Sequence, residues 1–471
     1  MKITLLHTIL LCFHLLASIG SYSQSNIQKW DHSNEDALAR LSGALKIKTI
    51  SSSSPADFDS ASFIQLRIFL ENNFPMVHTV LERFEVNRFG YIYKWAGVDK
   101  GLAPYVLMAH QDVVPAEDAA TADWKYPPFS GTVAEDTIWG RGVVDNKGTM
   151  IAILEAAEHL LGQNKKPDRT IYFCFGHDEE TSGHLGAESI VNWFEQREIR
   201  PALVLDEGLE IIHKNYIPLS TPVALIGIGE KGYATFEAVA NIEGGHSAAP
   251  HNETAIDILI AALDRVHDHP MPAKLIPATN TFLQKIKHLL PGKMRFGINN
   301  LWLFKKKLLK EMGKNNGTNS LIRTTIVTTM INSGVKDNVI PSFAKATINC
   351  RILPGQTVNE VEQHLKVQIN DDRITLVRTE DCWDPPPATD MHGFAYKKID
   401  SLVSEMFPDA VSAPLFVVGT TDARYFRKIS DGVINFLPVT DSKGMHGVNE
   451  ARAINDYFKL SLFFEKLMMS K

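Results

Sequence analysis

An α/β fold, with a mixed, mostly parallel sheet flanked by helices, is what this sequence predicts, on three observations. Short apolar runs rich in β-branched and aromatic residues, 105–109 (YVLMA), 171–175 (IYFCF) and 202–205 (ALVL), read as buried strands. Segments with helical apolar spacing, 149–161 and 187–194, lie between them, and strands alternating with helices argue for a parallel sheet. Each run ends in ionisable residues: His110-Gln111-Asp112, His177-Asp178-Glu179-Glu180 and Asp206-Glu207. The carboxyl ends of the strands are where open α/β sheets bind ligands.

The remaining elements follow in order. Residues 37–45 and 63–70 have helical spacing, and 91–95 alternate like a strand. Residues 223–240 read as strands broken by a turn at Gly229-Glu230-Lys231-Gly232, with a helix at 255–266. Strands are expected at 324–330, 346–350, 374–377 and 415–418, and helices at 357–369, 394–406 and 453–469.

Composition limits the function classes. The chain has 471 residues, enough for two or three domains. Hydrophobic content of 44% and charged content of 22% are those of a globular protein. A net charge of −6, with positive charge scattered apart from a lysine-rich patch at 305–310, argues against a nucleic-acid partner. Residues 1–23 read as a secretory signal peptide: Lys2, a mostly apolar stretch, then small residues. The mature protein is therefore expected to be exported, to the periplasm or outside the cell. Cys174, Cys350 and Cys382 lie far apart with no CxxC spacing, so neither a disulfide scaffold nor a zinc ribbon is expected. A Cys350–Cys382 bridge stays open.

The chemistry is suggested by the strand ends. Glu179 and Glu180 are adjacent carboxylates at a buried mouth, costly unless a positive charge compensates them. A metal ion would let one ligate while the other handles protons; an acidic helix start is the alternative. His110 and Asp112, at i and i+2, leave a strand end on the same side, and carboxylates commonly orient ligating imidazoles. Asp145 sits in a glycine-rich loop, 138–148 (IWGRGVVDNKG), that meets neither common phosphate-binding spacing. With Asp206, three successive strands deliver ionisable residues to one edge, the pattern of a parallel sheet building one metal site.

The motifs HQDVVP, GRGVVDNKG, DEETSG, GGHSAAP, NVIPS, GTTDAR and MHGVNE occur in this order. By them the chain resembles the co-catalytic zinc metallopeptidases that include aminoacylase, carboxypeptidase S, carboxypeptidase G and succinyl-diaminopimelate desuccinylase. It is most like the carboxypeptidase S branch, which also holds a secreted N-acyl-amino-acid hydrolase/synthase. The resemblance implies two zinc ions per subunit, with cobalt or manganese as possible substitutes. His110 and Asp206 would hold one ion, Glu180 and His446 the other, and Asp145 would bridge them. Glu179 would be the general base, Asp112 would orient His110, and the Asp145–Asn146 peptide would be cis. His246 would stabilise the oxyanion, often from the partner subunit in that family. Asn338 and Arg351 would hold the carboxylate and amide region of the substrate. Backbone N–H groups of the loop from Gly419 and Thr420 would help to receive the carboxylate.

The resemblance also implies an inserted smaller α+β lid or dimerisation domain. The expected division is 1–23 signal peptide, 24–229 and 354–471 catalytic domain, and 230–353 lid. Within the lid, 282–319 is longer than in compact relatives and carries an amphipathic, lysine-rich pattern. It could cover the surface used for a homodimer, grip an acyl chain or touch a membrane. The expected activity is cleavage of the amide bond of N-acyl amino acids or short peptides with a free C-terminal carboxylate. An aminopeptidase acting on dipeptides, or an inactive binding protein, are the alternatives.

Overall fold

The computed structural model describes residues 34–52, 54, 56–117, 122–213, 219–440 and 442–470. The expected signal segment, 1–23, lies outside them. Its principal strands are β1 (Glu82–Val86), β2 (Gly90–Trp95), β3 (Tyr105–His110), β4 (Ile171–Gly176), β5 (Leu203–Asp206), β6 (Val223–Glu230), β7 (Gly232–Asn241), β8 (Thr325–Ser333), β9 (Phe343–Ile352), β10 (Ile374–Arg378), β11 (Val411–Val417) and β12 (Val433–Asn435). The larger sheet runs β1-β2-β4-β3-β5-β12-β6-β11, with the short strand Ile211–Ile212 beside β6. Its centre, β4-β3-β5-β12, is parallel, while β1-β2-β4 and the β12–β6 contact are antiparallel.

The apolar runs are continuous because both faces of this sheet are covered. On one face Phe173, Phe175, Leu107 and Leu205 pack with helices α1 (Asn34–Leu45) and α2 (Lys147–Gly162). On the other Val106, Met108, Cys174 and Val204 meet α3 (Ala187–Glu195). Each such buried side chain contributes roughly 1.5–3 kcal/mol. Register then aligns the strand ends: His110 lies opposite Gly176, and Asp206 opposite Asn435.

The smaller sheet, β8-β9-β7-β10, is antiparallel throughout. One face carries α4 (Ala255–Asp268), packed on Phe236, Ile348 and Ile352. Since Cys350 and Ile352 point into that core, Arg351 falls on the opposite face.

Packing places two stretches differently from the sequence expectation. The boundary at 353/354 is not where the core changes. Val361, Leu365, Ile369 and Ile374 fill the core of the smaller sheet, so the helix Val358–Ile369 and β10 belong with it. The insertion instead leaves that sheet. Its helices α5 (Pro277–Ile286), α6 (Gly292–Asn299) and α7 (Leu301–Met312) build a core on β6 and β11 of the larger sheet. There Phe282, Leu283 and Ile286 meet Val223, Leu225, Ala413 and Leu415. None of the described helices is long and apolar enough to cross a membrane.

Candidate metal centre

Loops at the carboxyl rim of β3, β4 and β5 meet the segment 444–450. His110 Nε2 lies 2.9 Å from Asp145 Oδ1 and 3.2 Å from Glu207 Oε1. His446 Nε2 lies 2.8 Å from Asp145 Oδ2 and 3.3 Å from Glu180 Oε2. Asp145 therefore belongs to two donor groups, His110/Asp145/Glu207 and Asp145/Glu180/His446, with the ligand atoms of each group within 4.8 Å of one another. The Asp145–Asn146 peptide is cis, as the resemblance implies.

Asp112 ties the site together. Its carboxylate lies 3.3 Å from His110 Nδ1 and accepts from the backbone N–H of Glu179 (3.2 Å) and Glu180 (3.0 Å). The loop bearing Asp145 is held by Glu450, which has no exposed surface. Its carboxylate accepts from the N–H groups of Gly142, Val144 and Asp145 and from Arg141. Lys147, also fully buried, donates from Nζ to the carbonyls of Ala44 and Ile47. Burial pushes its ammonium down to about 7.

The electrostatics call for a cation. Burial, reinforced by the charge of Asp145, pushes Glu207 up to about 8. Burial also raises Glu180, and it raises Glu179 well above the carboxylate range, with Asp422, Glu207 and Glu180 adding to it. Asp145 and Glu180 bonds lift His446 to about 10. Burial alone would depress His110, but Asp112, Asp145 and Glu207 outweigh it and raise it. Oε1 of Glu180 is buried without a hydrogen-bond partner. Two sets of one imidazole and two carboxylates, sharing one carboxylate, fit a pair of divalent ions such as zinc.

One expected donor is displaced by one residue. Asp206 does not join either group: its Oδ2 accepts from the N–H of Ala423 at 2.9 Å. Along β5, Val204 packs under α3, and Asp206, two residues on, faces the same layer. Glu207, on the opposite side, reaches His110. This alternation was present in the sequence as a signal.

Other predicted residues lie outside the donor groups. His246 is exposed, and its Nδ1 accepts from the N–H of Ala248. Asn338 is exposed, and its carbonyl accepts from Ser247 N–H. Beyond Gly419 and Thr420, both half-buried, the N–H groups of Thr421 and Ala423 are engaged by Glu230 and Asp206. Arg351 does approach the centre: its guanidinium lies over Tyr233, donates to Thr420 Oγ1 at 3.3 Å, and interacts electrostatically with Glu179. Arg424, not singled out in the sequence, donates to the carbonyls of Thr421 and Ser182 and covers Trp383. It links the turn after Glu180 to the loop after β11.

Comparison with known proteins identifies the family. The family model for peptidase family M20/M25/M40 matches residues 106–470. A probable carboxypeptidase S-like protein of Dictyostelium discoideum is 36% identical over 93% of this chain and 85% of its own. The N-fatty-acyl-amino acid synthase/hydrolase PM20D1 of Mus musculus is 38% identical over 88% and 84%. Among solved structures, the M20 family metallo-carboxypeptidase Sso-CP2 of Sulfolobus solfataricus superposes with a TM-score of 0.67 over 92% of this chain and 98% of that one. At 20% identity that likeness speaks for the fold. The chain belongs to peptidase family M20/M25/M40, among its carboxypeptidase S-like members, and is a hydrolase of amide bonds.

Proposed function

We propose that this protein hydrolyses N-acyl amino acids or short peptides bearing a free C-terminal carboxylate, using two divalent ions, zinc being the expected metal. The observation that carries the reading is the pair of donor groups joined by Asp145, with Glu179 beside them. When bound, such ions polarise the scissile carbonyl and acidify a water. Glu179, its backbone fixed by Asp112, takes the proton of the attacking water and delivers it to the departing amine nitrogen. Arg351 offers a planar fork suited to the substrate carboxylate. The names of the relatives, a carboxypeptidase S-like protein and an N-fatty-acyl-amino acid synthase/hydrolase, fit substrates that end in that group.

Glu179→Gln is expected to keep both ions and lose turnover by roughly 10²–10⁴-fold; near-normal activity in that variant ends the assignment. A panel of N-acylated amino acids set against free dipeptides identifies the substrate class, and preference for a free N-terminus would make the protein an aminopeptidase. Export rests on the signal-like residues 1–23. A homodimer through the smaller sheet is supported by the exposed edge strand β8 and the exposed His246. A monomer mass by light scattering would remove it.

A further inference from the structure

We propose that the helical insertion on the larger sheet is a docking face for an anionic lipid bilayer. The observation is an apolar–cationic surface on α6 and α7. Trp302 is 84% exposed, Phe296 62% and Leu303 60%, three large apolar side chains on neighbouring helices. The inner side of α7 is already used: Leu308, Leu309 and Met312 pack into the core on β6 and β11. The outer side therefore has no role in that core. Trp302, Lys306 and Lys310 follow at intervals of four and share one face, with Leu303 and Lys307 beside them. Lys305, Lys306, Lys307 and Lys310 are all exposed, as are Lys293 and Arg295 on α6.

Charge selects the occupant. The protein carries a net charge of −6, yet residues 269–310 contain no Asp or Glu. The acidic residue that ends this run, Glu311, is engaged by Lys314 at 2.9 Å. An exposed indole ringed by lysines suits the boundary between headgroups and acyl chains. The ring buries there, the lysine stems lie along apolar surface, and the ammonium groups meet lipid phosphates. Beside Trp302 a groove of about 430 Å³, lined by Leu275, Pro277, Leu301 and Lys305 among others, offers apolar room for chain ends. The contact proposed is a peripheral one, made by exposed side chains of α6 and α7. The proposal does not depend on the substrate reading, because none of these residues belongs to the metal centre.

The test is co-sedimentation of the whole protein with vesicles of phosphatidylcholine alone or mixed with phosphatidylglycerol, at low and high salt. Wild type is expected to bind the mixed vesicles, with a blue shift in tryptophan emission and release by salt. Lys305→Glu/Lys306→Glu/Lys307→Glu is expected to weaken that binding at least about tenfold. Trp302→Ala should bind more weakly and lose the shift. Both variants should keep wild-type turnover of a water-soluble substrate and wild-type melting temperature, since every altered side chain is exposed. The proposal is overturned if wild type stays in the supernatant with mixed vesicles. It is also overturned if the triple variant binds as well as wild type, or if neutral vesicles bind equally. A change of oligomeric mass in Trp302→Ala would assign the face to a second copy of this chain and overturn it too.

Discussion

Asp206 and Glu207 are neighbours of the same charge with different tasks. Asp206 receives the N–H of Ala423, and Glu207 faces His110. Metal analysis after dialysis separates them: wild type is expected to hold two ions and Glu207→Ala one, while Asp206→Asn, whose amide oxygen can still accept from Ala423, is expected to keep both. The reverse result would return the ligand role to Asp206. His110, Asp145 and Glu180 stand out in the sequence because strand ends and a glycine-rich loop announce where functional side chains emerge, whereas His446 was named through the family resemblance alone. The choice between two adjacent acids was harder, since it depends on which sheet face each residue takes. It could be read only from the alternation of Val204 and Leu205 between the two cores. His246 and Asn338 carry no such local signal, because a lid loop's target is set by tertiary or quaternary placement.

The loop from Gly140 to Asp145 shows how an element is shaped by a distant residue. Glu450 collects three backbone N–H groups from it and pairs with Arg141 at 2.6 Å. Glu450→Gln replaces one acceptor oxygen by a donor facing N–H groups. Metal affinity is expected to fall about 10–100-fold, as for other residues that orient ligands, with Glu179 untouched; a titration with a competing chelator measures it. Pairing across such sequence separation is invisible to pattern reading. For a related reason the amphipathic pattern of the insertion left a dimer surface, an acyl chain and a membrane all open, and did not point to β6 and β11, on which its inner side packs. The three residues of β12 are too few to show any period.

For the molecule as a whole, the metal centre should dominate the response to pH. Without metal, Glu207 titrates at about 8 in the native state against a reference of 4.5. The native state then binds the extra proton between those values, so its stability is full below about pH 4.5 and falls as pH rises toward 8. His446, raised from 6.5 to about 10, acts in the same sense over a higher window. Asp112 and Asp145, held below the usual 3.8, act oppositely but only in acid. Chelated protein is therefore expected to melt at progressively lower temperature from about pH 5 to about pH 8, while metal-loaded protein stays nearly level. Parallel profiles in a melting series would contradict a cation at these carboxylates. The seam between the two sheets has its own consequence. The chain crosses it near Lys231, again on entering and leaving the insertion, and once more before Thr389. The crossings are fastened by Lys231 N–H to Val417 O, Lys274 N–H to Ile322 O and Thr389 N–H to Ile228 O. Any turn of one sheet against the other would have to follow an arc absorbed by backbone torsions at all of these crossings together. Arg351 would travel on that arc, so its distance from Glu179 would report the opening angle.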